Sequence, residues 1–299
     1  MAVRDLPIVG DSFNVGFRFQ RYWDTPMANA FFSCEAGAGL FFVSMFVGYI
    51  PGMILGIVAG VGLKAFFHLT HMGVPFRSWR AAIRPDRSWT SRGVLGIAVL
   101  VVFGVAHIVI QQYGLVAAWG LPGFVTDLVI FGAGVGAVSC MCYQGFAMSH
   151  SNAISLWSTG LMPVSSFVYA LTSGVLLTLA LAFNGHLAEQ AGLREILVTA
   201  GLFSCFALVA VLLSLLHASR HGSPGAQKSF DLLTKSLYAK WFYSLIWVAG
   251  IVVPVLVLWL APGYTLVLVA ALGALIGHYA FRVLIFKAGV FEPIMSFRP

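Results

Sequence analysis

PFRSWRAAIRPDRSWTSRG, residues 75–93, gathers five arginines (Arg77, Arg80, Arg84, Arg87 and Arg92) and two tryptophans around one acid, Asp86, between two long apolar runs. The surroundings decide how so basic a stretch is read. The chain of 299 residues is 60% hydrophobic and only 9% charged, with a mean hydropathy of +0.92. A soluble domain carries about a quarter charged residues, so the basic balance does not point to nucleic acid. It points to the lipid bilayer, where the few charges report topology.

Crossing about 30 Å of hydrocarbon takes about 20 apolar residues as helix. Windows of that length place spans near 28–48, 52–72, 93–113, 123–146, 161–183, 194–216, 241–260 and 264–286. Eight spans put both termini on one face together with the loops after spans two, four and six. Of the 17 lysines and arginines, all but Lys64, inside span two, and Arg194, at the opposite face, then fall at or near that face. Excess Lys and Arg mark the cytoplasmic side. The expectation is an all-α integral membrane protein with eight transmembrane helices, two four-helix halves and both termini cytoplasmic, in a cytoplasmic (inner) membrane. Its parts are an amphipathic segment 1–27, a first bundle 28–150, and a second bundle with tail 151–299. The opening MAVRDLPIVGDSFN has no apolar run beside a cleavage site, so no signal peptide is expected.

The basic stretch also has an ordered pattern. HMGVPFRSWRAAIRPDRSWTSRG, starting at His71, resembles the His-Leu-Gly-x-Pro-x-Arg-x-Trp-Arg, Arg-Pro and Ser-Trp-x-Ser-Arg sequence that joins spans two and three in the NrfD-like superfamily, the membrane subunits of polysulfide reductase, DMSO reductase and their relatives. YQGFAMSHSNAISLWSTGLMPVSSFVYALTSGV, residues 143–175, resembles the same family's span-four tyrosine and its entry into span five, with Ser158 where the family usually has asparagine. YWDTPMANAFFSCEAGAGLF, residues 22–41, is similar to the family's amphipathic entry and small-residue first helix. The resemblance covers about the first 175 residues by motif and the rest by span count.

The resemblance implies an anchor subunit that exchanges electrons between menaquinone or ubiquinone and a four-cluster ferredoxin-like iron–sulfur subunit. That subunit would serve a molybdopterin catalytic subunit, as in relatives that oxidise sulfite or an acyl-CoA such as phenylacetyl-CoA. Such a site needs hydrogen-bonding groups for the quinone carbonyls and a proton carrier connected to water. Glu35, about 10 Å into span one by helical rise, is the carboxylate whose burial in lipid marks it as functional. His68, His71, Tyr143 and Trp23 are expected around it, Tyr143 where the family's quinone-binding tyrosine falls. Gly37 and Gly39 would let a neighbouring helix come close, or let a flat ring lie against the backbone. Arg77, Arg80, Arg84, Arg87, Trp89, Ser91 and Arg92 are read as loop structure and as a docking surface for an acidic iron–sulfur partner, arginine and tryptophan being enriched at interface hot spots.

No metal site is expected in this chain. Cys34, Cys140, Cys142 and Cys205 show no C-x-x-C spacing and read as small core residues rather than cluster ligands. His107 and His278 differ in depth, about 21 Å and about 12 Å by helical rise, so no haem pair is expected of them, and His107 reads as a core histidine; His68 or His71 could match His217 in depth. Spans five to eight hold few ionisable groups and are expected to be a structural bundle. The rival readings are a haem b cytochrome subunit, which needs paired mid-span histidines, and a secondary transporter, which needs broken helices and polar sites in both halves.

Overall fold

The computed structural model describes residues 17–260 and 263–292; Arg4, Arg298 and residues 1–16 of the expected amphipathic segment lie outside them. Among the described residues, eight helices are long and apolar enough to cross a membrane. They are Thr25–Phe46, Ile50–His71, Trp89–Gln112, Gly123–Ser149, Leu161–Ala182, Ala191–Arg220, Ala239–Trp259 and Tyr264–Lys287, called spans one to eight. Every expected window is met within a few residues.

Local sequence explains the boundaries. Span one ends where Gly48 takes a positive φ of 70°, a conformation glycine adopts without the Cβ penalty, and Pro51 sits in the first turn of span two, where its missing N–H costs nothing. Ser88 caps span three, its hydroxyl accepting from the Ser91 backbone N–H at 3.3 Å. Two spans carry a widened, π-type stretch, residues 58–63 in span two and 242–252 in span seven; the latter runs up to Pro254, which cannot donate to the turn before it.

Spans one and five form the centre. In their most apolar windows 78% and 72% of residues are buried, against 28% in spans two and three, so these two helices are mostly enclosed by protein while spans two and three face outward. Small residues allow it. A Cβ on Gly39 would overlap the carbonyl of Ala170 in span five, and one on Gly37 the backbone of Gly60 in span two. At both crossings the helix backbones touch, the close approach that small residues permit inside membranes. Spans seven and eight meet the same way at Gly250 and Gly277.

One face is knitted together by the segments that flank the bundle. Strands Arg18–Phe19 (β1) and Val290–Phe291 (β2) pair antiparallel. Gln20 donates to the Phe286 carbonyl at 2.7 Å, and Trp157, in the loop before span five, donates to the Ile285 carbonyl at 3.0 Å. The carboxylate of Glu292 accepts from Ser155 Oγ at 2.6 Å, from Ser223 Oγ, and from the Gly225 N–H at 3.3 Å. The stretches 17–24 and 288–292 therefore share this face with the loops after spans four and six, as an even number of crossings requires.

Candidate functional site

Glu35 lies ten residues into span one, about 15 Å along the helix, deeper than expected because the span starts three residues earlier. It is fully buried. Its Oε2 accepts from Arg282 Nε at 2.7 Å and from His278 Nε2 at 3.0 Å. Both partners come from span eight and are themselves fully buried. Four residues separate them, so they stand one turn apart on a single helix face.

The other contacts of these groups complete a closed network. Arg282 Nη2 donates to Ser166 Oγ at 2.6 Å, and Nη1 points at Met148 Sδ, 3.7 Å away. Ser173 Oγ and His278 Nδ1 are 2.9 Å apart; with Nε2 turned to a carboxylate and so carrying a proton, Nδ1 accepts from the serine whenever the ring is neutral. On the opposite side Gln144 bridges. With the amide oriented so that its nitrogen meets acceptors and its oxygen meets the lysine, the nitrogen donates to Glu35 Oε1 and to the Phe31 carbonyl, each at 2.9 Å, and the oxygen accepts from Lys64 Nζ at 2.8 Å. That end of the amide is 3.4 Å from the Tyr143 hydroxyl. The Lys64 ammonium lies over the rings of Tyr143 and Phe31, 5.0 and 5.4 Å from their centroids, the aromatic faces supplying part of what water would.

A carboxylate, a guanidinium, an ammonium and an imidazole thus share one hydrogen-bonded chain drawn from spans one, two, four, five and eight. Buried charges persist when paired and hydrogen-bonded, and here only Glu35 carries negative charge. The ionisable groups lie between the middle and one face of the bilayer: Arg282 and Gln144 are each five residues, about 8 Å, from the ends of their helices, and Lys64 about 10 Å. Those ends sit on the face that carries the paired strands.

The structure brings together some of the expected residues and separates others. Glu35 and Tyr143 join the network, the tyrosine through Lys64 and Gln144. Trp23 is one ring removed: it packs on Phe31 and stacks on Trp157, centroids 5.5 and 5.2 Å apart. His71 stands at the surface, Nδ1 3.6 Å from Asp24 Oδ1. His68 is held apart too, its buried Nδ1 without a partner.

Lys64, Gln144, His278, Arg282, Ser166 and Ser173 were not expected here. Spans five to eight are not free of buried charge, because span eight supplies two of the four ionisable groups. Arg282 is no surface cation but lies in the core. The available signal was an arginine one and a half turns inside an apolar run, with a histidine one turn before it. His278, whose ring nitrogens both have hydrogen-bond partners, has none free for iron.

The basic loop is an anchored platform. Its 3-10 turns run Pro75–Ala82. Trp89 stacks flat on Phe146 at 4.4 Å and donates to His150 Nε2 at 3.1 Å. Arg92 lies over the Trp89 ring and donates to the carbonyls of Pro85 and Asp86 at 2.8 and 3.1 Å, and the buried Ser91 hydroxyl donates to the Ala81 carbonyl. Trp89, Ser91 and Arg92 therefore hold the loop in place. Arg77, Arg80, Arg84 and Arg87 remain exposed, the last two flanking Asp86 at 3.3 and 3.2 Å, and Phe76 is 93% and Trp79 62% exposed beside them. No protein-family model matches the chain, and no curated protein matches it either.

Proposed function

We propose that this chain is the quinone-reactive membrane anchor of a molybdopterin oxidoreductase, in a bacterial or archaeal cytoplasmic membrane with both termini cytoplasmic. It would pass electrons between menaquinone or ubiquinone and an iron–sulfur subunit docked on the basic loop. The observation that carries the reading is the buried network around Glu35. Quinone chemistry moves protons with electrons, and Glu35, His278 and Lys64 are exchangeable groups joined by hydrogen bonds within the membrane, on the side where the partner would sit. Tyr143, beside Gln144 and Lys64, would be the hydroxyl that meets a quinone carbonyl. The exposed Arg77, Arg80, Arg84 and Arg87 with Phe76 and Trp79 are the cationic and aromatic surface that an acidic partner would meet.

The experiment is gentle purification from the native membrane, with mass spectrometry of what accompanies the chain and an optical spectrum. Co-purification of a four-cluster iron–sulfur protein and a molybdopterin subunit, without haem bands from this chain, is expected. Quinone turnover by the assembled complex should fall in Glu35→Gln at a temperature where that variant stays folded, and an unchanged rate refutes the proton role.

A secondary transporter is the second reading. Two observations favour it: the ionisable cluster draws on both ends of the sequence, and spans two and seven contain widened turns, features found at functional sites in membrane helices. Isolation of the chain with no redox partner would select it.

A further inference from the structure

Between spans one, seven and eight an apolar trough of about 570 Å³ opens sideways. It runs along span eight from Lys287 down to Leu275, twelve residues and so about 18 Å, with Phe32 and Leu245 among its walls. Leu237, Tyr238 and Lys287 belong both to its upper end and to a second cavity of about 320 Å³ above it, which Gln20, Arg21 and Asp24 also line. The two form one amphipathic groove, cationic at the membrane surface and apolar below.

Polarity along the groove identifies its occupant. Neither Arg21 nor Lys287 is in any ion pair among the described residues, whereas the acid in the niche, Asp24, faces His71 at 3.6 Å. Trp241 and Tyr238 flank the mouth, the side chains that settle at headgroup depth. Lower down, the one polar group on the trough wall, the Tyr279 hydroxyl, is committed to Asn29 Oδ1 at 2.9 Å. A quinone entering head first would meet only committed or apolar groups at the deep end. We infer that the groove is a binding site for an anionic phospholipid, its phosphate between Arg21 and Lys287 and one acyl chain along the trough against Phe32 and Ile276. The trough shares Phe32 with the proton network, since that ring meets His278 edge-on at 5.1 Å; a lipid seated there would press on the wall that seals Glu35 from the bilayer.

The test uses the full-length protein, delipidated in neutral detergent and loaded with phosphatidylglycerol or phosphatidylcholine, with bound lipid read by native mass spectrometry. Wild type should retain phosphatidylglycerol about thirtyfold more strongly than phosphatidylcholine, the fold-change for two basic side chains at an anionic headgroup. R21A/K287A, a pair of exposed positions outside the core, should abolish the preference, and Ile276→Trp, which fills the trough from its lipid side, should weaken retention of both lipids. R84A/R87A on the distant loop should leave the preference intact. Equal retention of the two lipids by wild type, the same loss in R84A/R87A, unchanged binding in Ile276→Trp, or one-for-one displacement of phosphatidylglycerol by a menaquinone analogue would each overturn the assignment.

Discussion

Replacing Arg282 with methionine tests the central contact between the two ends of the chain. Methionine keeps the apolar stem of arginine out to about the position of Nε but removes the donors to Glu35 Oε2 at 2.7 Å and to Ser166 Oγ at 2.6 Å. Both members of the pair are fully buried, so no water replaces what is lost. Removing one partner of a buried pair costs about 3–5 kcal/mol. Glu35 keeps His278 and Gln144 as donors, which argues for the lower end, about 3 kcal/mol. For a chain of this size that corresponds to a fall in midpoint of about 6–12 °C. The protein supplies its own probe: Cys34, Cys140 and Cys205 are buried free thiols, so a thiol-reactive dye reports unfolding in detergent. Glu35→Gln leaves the buried Arg282 without its anion and should cost a similar amount. The double variant E35Q/R282M, with neither charge of the pair, should lose less than the sum of the singles by about 2 kcal/mol or more, the coupling expected of residues in one network. Additive losses, with a coupling below about 0.5 kcal/mol, would refute the claim that this pair is what makes each group tolerable in the core.

Further outcomes follow from the packing and the loops. Gly39→Val, whose Cβ would overlap the Ala170 carbonyl, should cost at least about 1–3 kcal/mol by overpacking and reduce folded yield, whereas Gly62→Ala, with open space around it, should be within about 0.5 kcal/mol of wild type. Lys64→Met removes an ammonium that has no carboxylate within ion-pair distance among the described residues but leaves the buried Gln144 amide oxygen without its 2.8 Å donor; thiol-dye melting should show a cost of about 1–3 kcal/mol, no larger than for Arg282→Met. Trp89→Ala removes the stack on Phe146, the bond to His150 and the ring beneath Arg92. Trypsin cleavage at Arg77 to Arg87 should then speed up about tenfold or more, the open-state population rising by roughly the 2 kcal/mol these contacts supply. Glu292→Ala deprives Ser155, Ser223 and the Gly225 N–H of their shared acceptor and should cost about 1–3 kcal/mol, read as earlier release of the C-terminal segment in hydrogen exchange.

What the sequence determined on its own was the set of helices and their alternation, because crossing a bilayer imposes a length and an apolar composition that each span must meet alone. The Gly37 and Gly39 contacts and the anchoring of the basic loop were legible for a related reason: glycine in a crowded helix face, and a capped arginine–tryptophan turn, carry their local purpose in a few adjacent residues. Glu35 was legible as one carboxylate inside an apolar run. Its partners were not. Arg282 sits near enough to the end of its helix to pass for a surface cation, Lys64 and Gln144 are isolated polar residues in apolar stretches, and 247 positions separate Arg282 from Glu35. Their meeting depends on span eight packing against span one in the middle of the bundle, and on the rotation of each helix about its own axis. Side-chain periodicity gives the faces of one helix; only tertiary packing decides which faces meet, and it placed the charged face of the last span against the acid of the first.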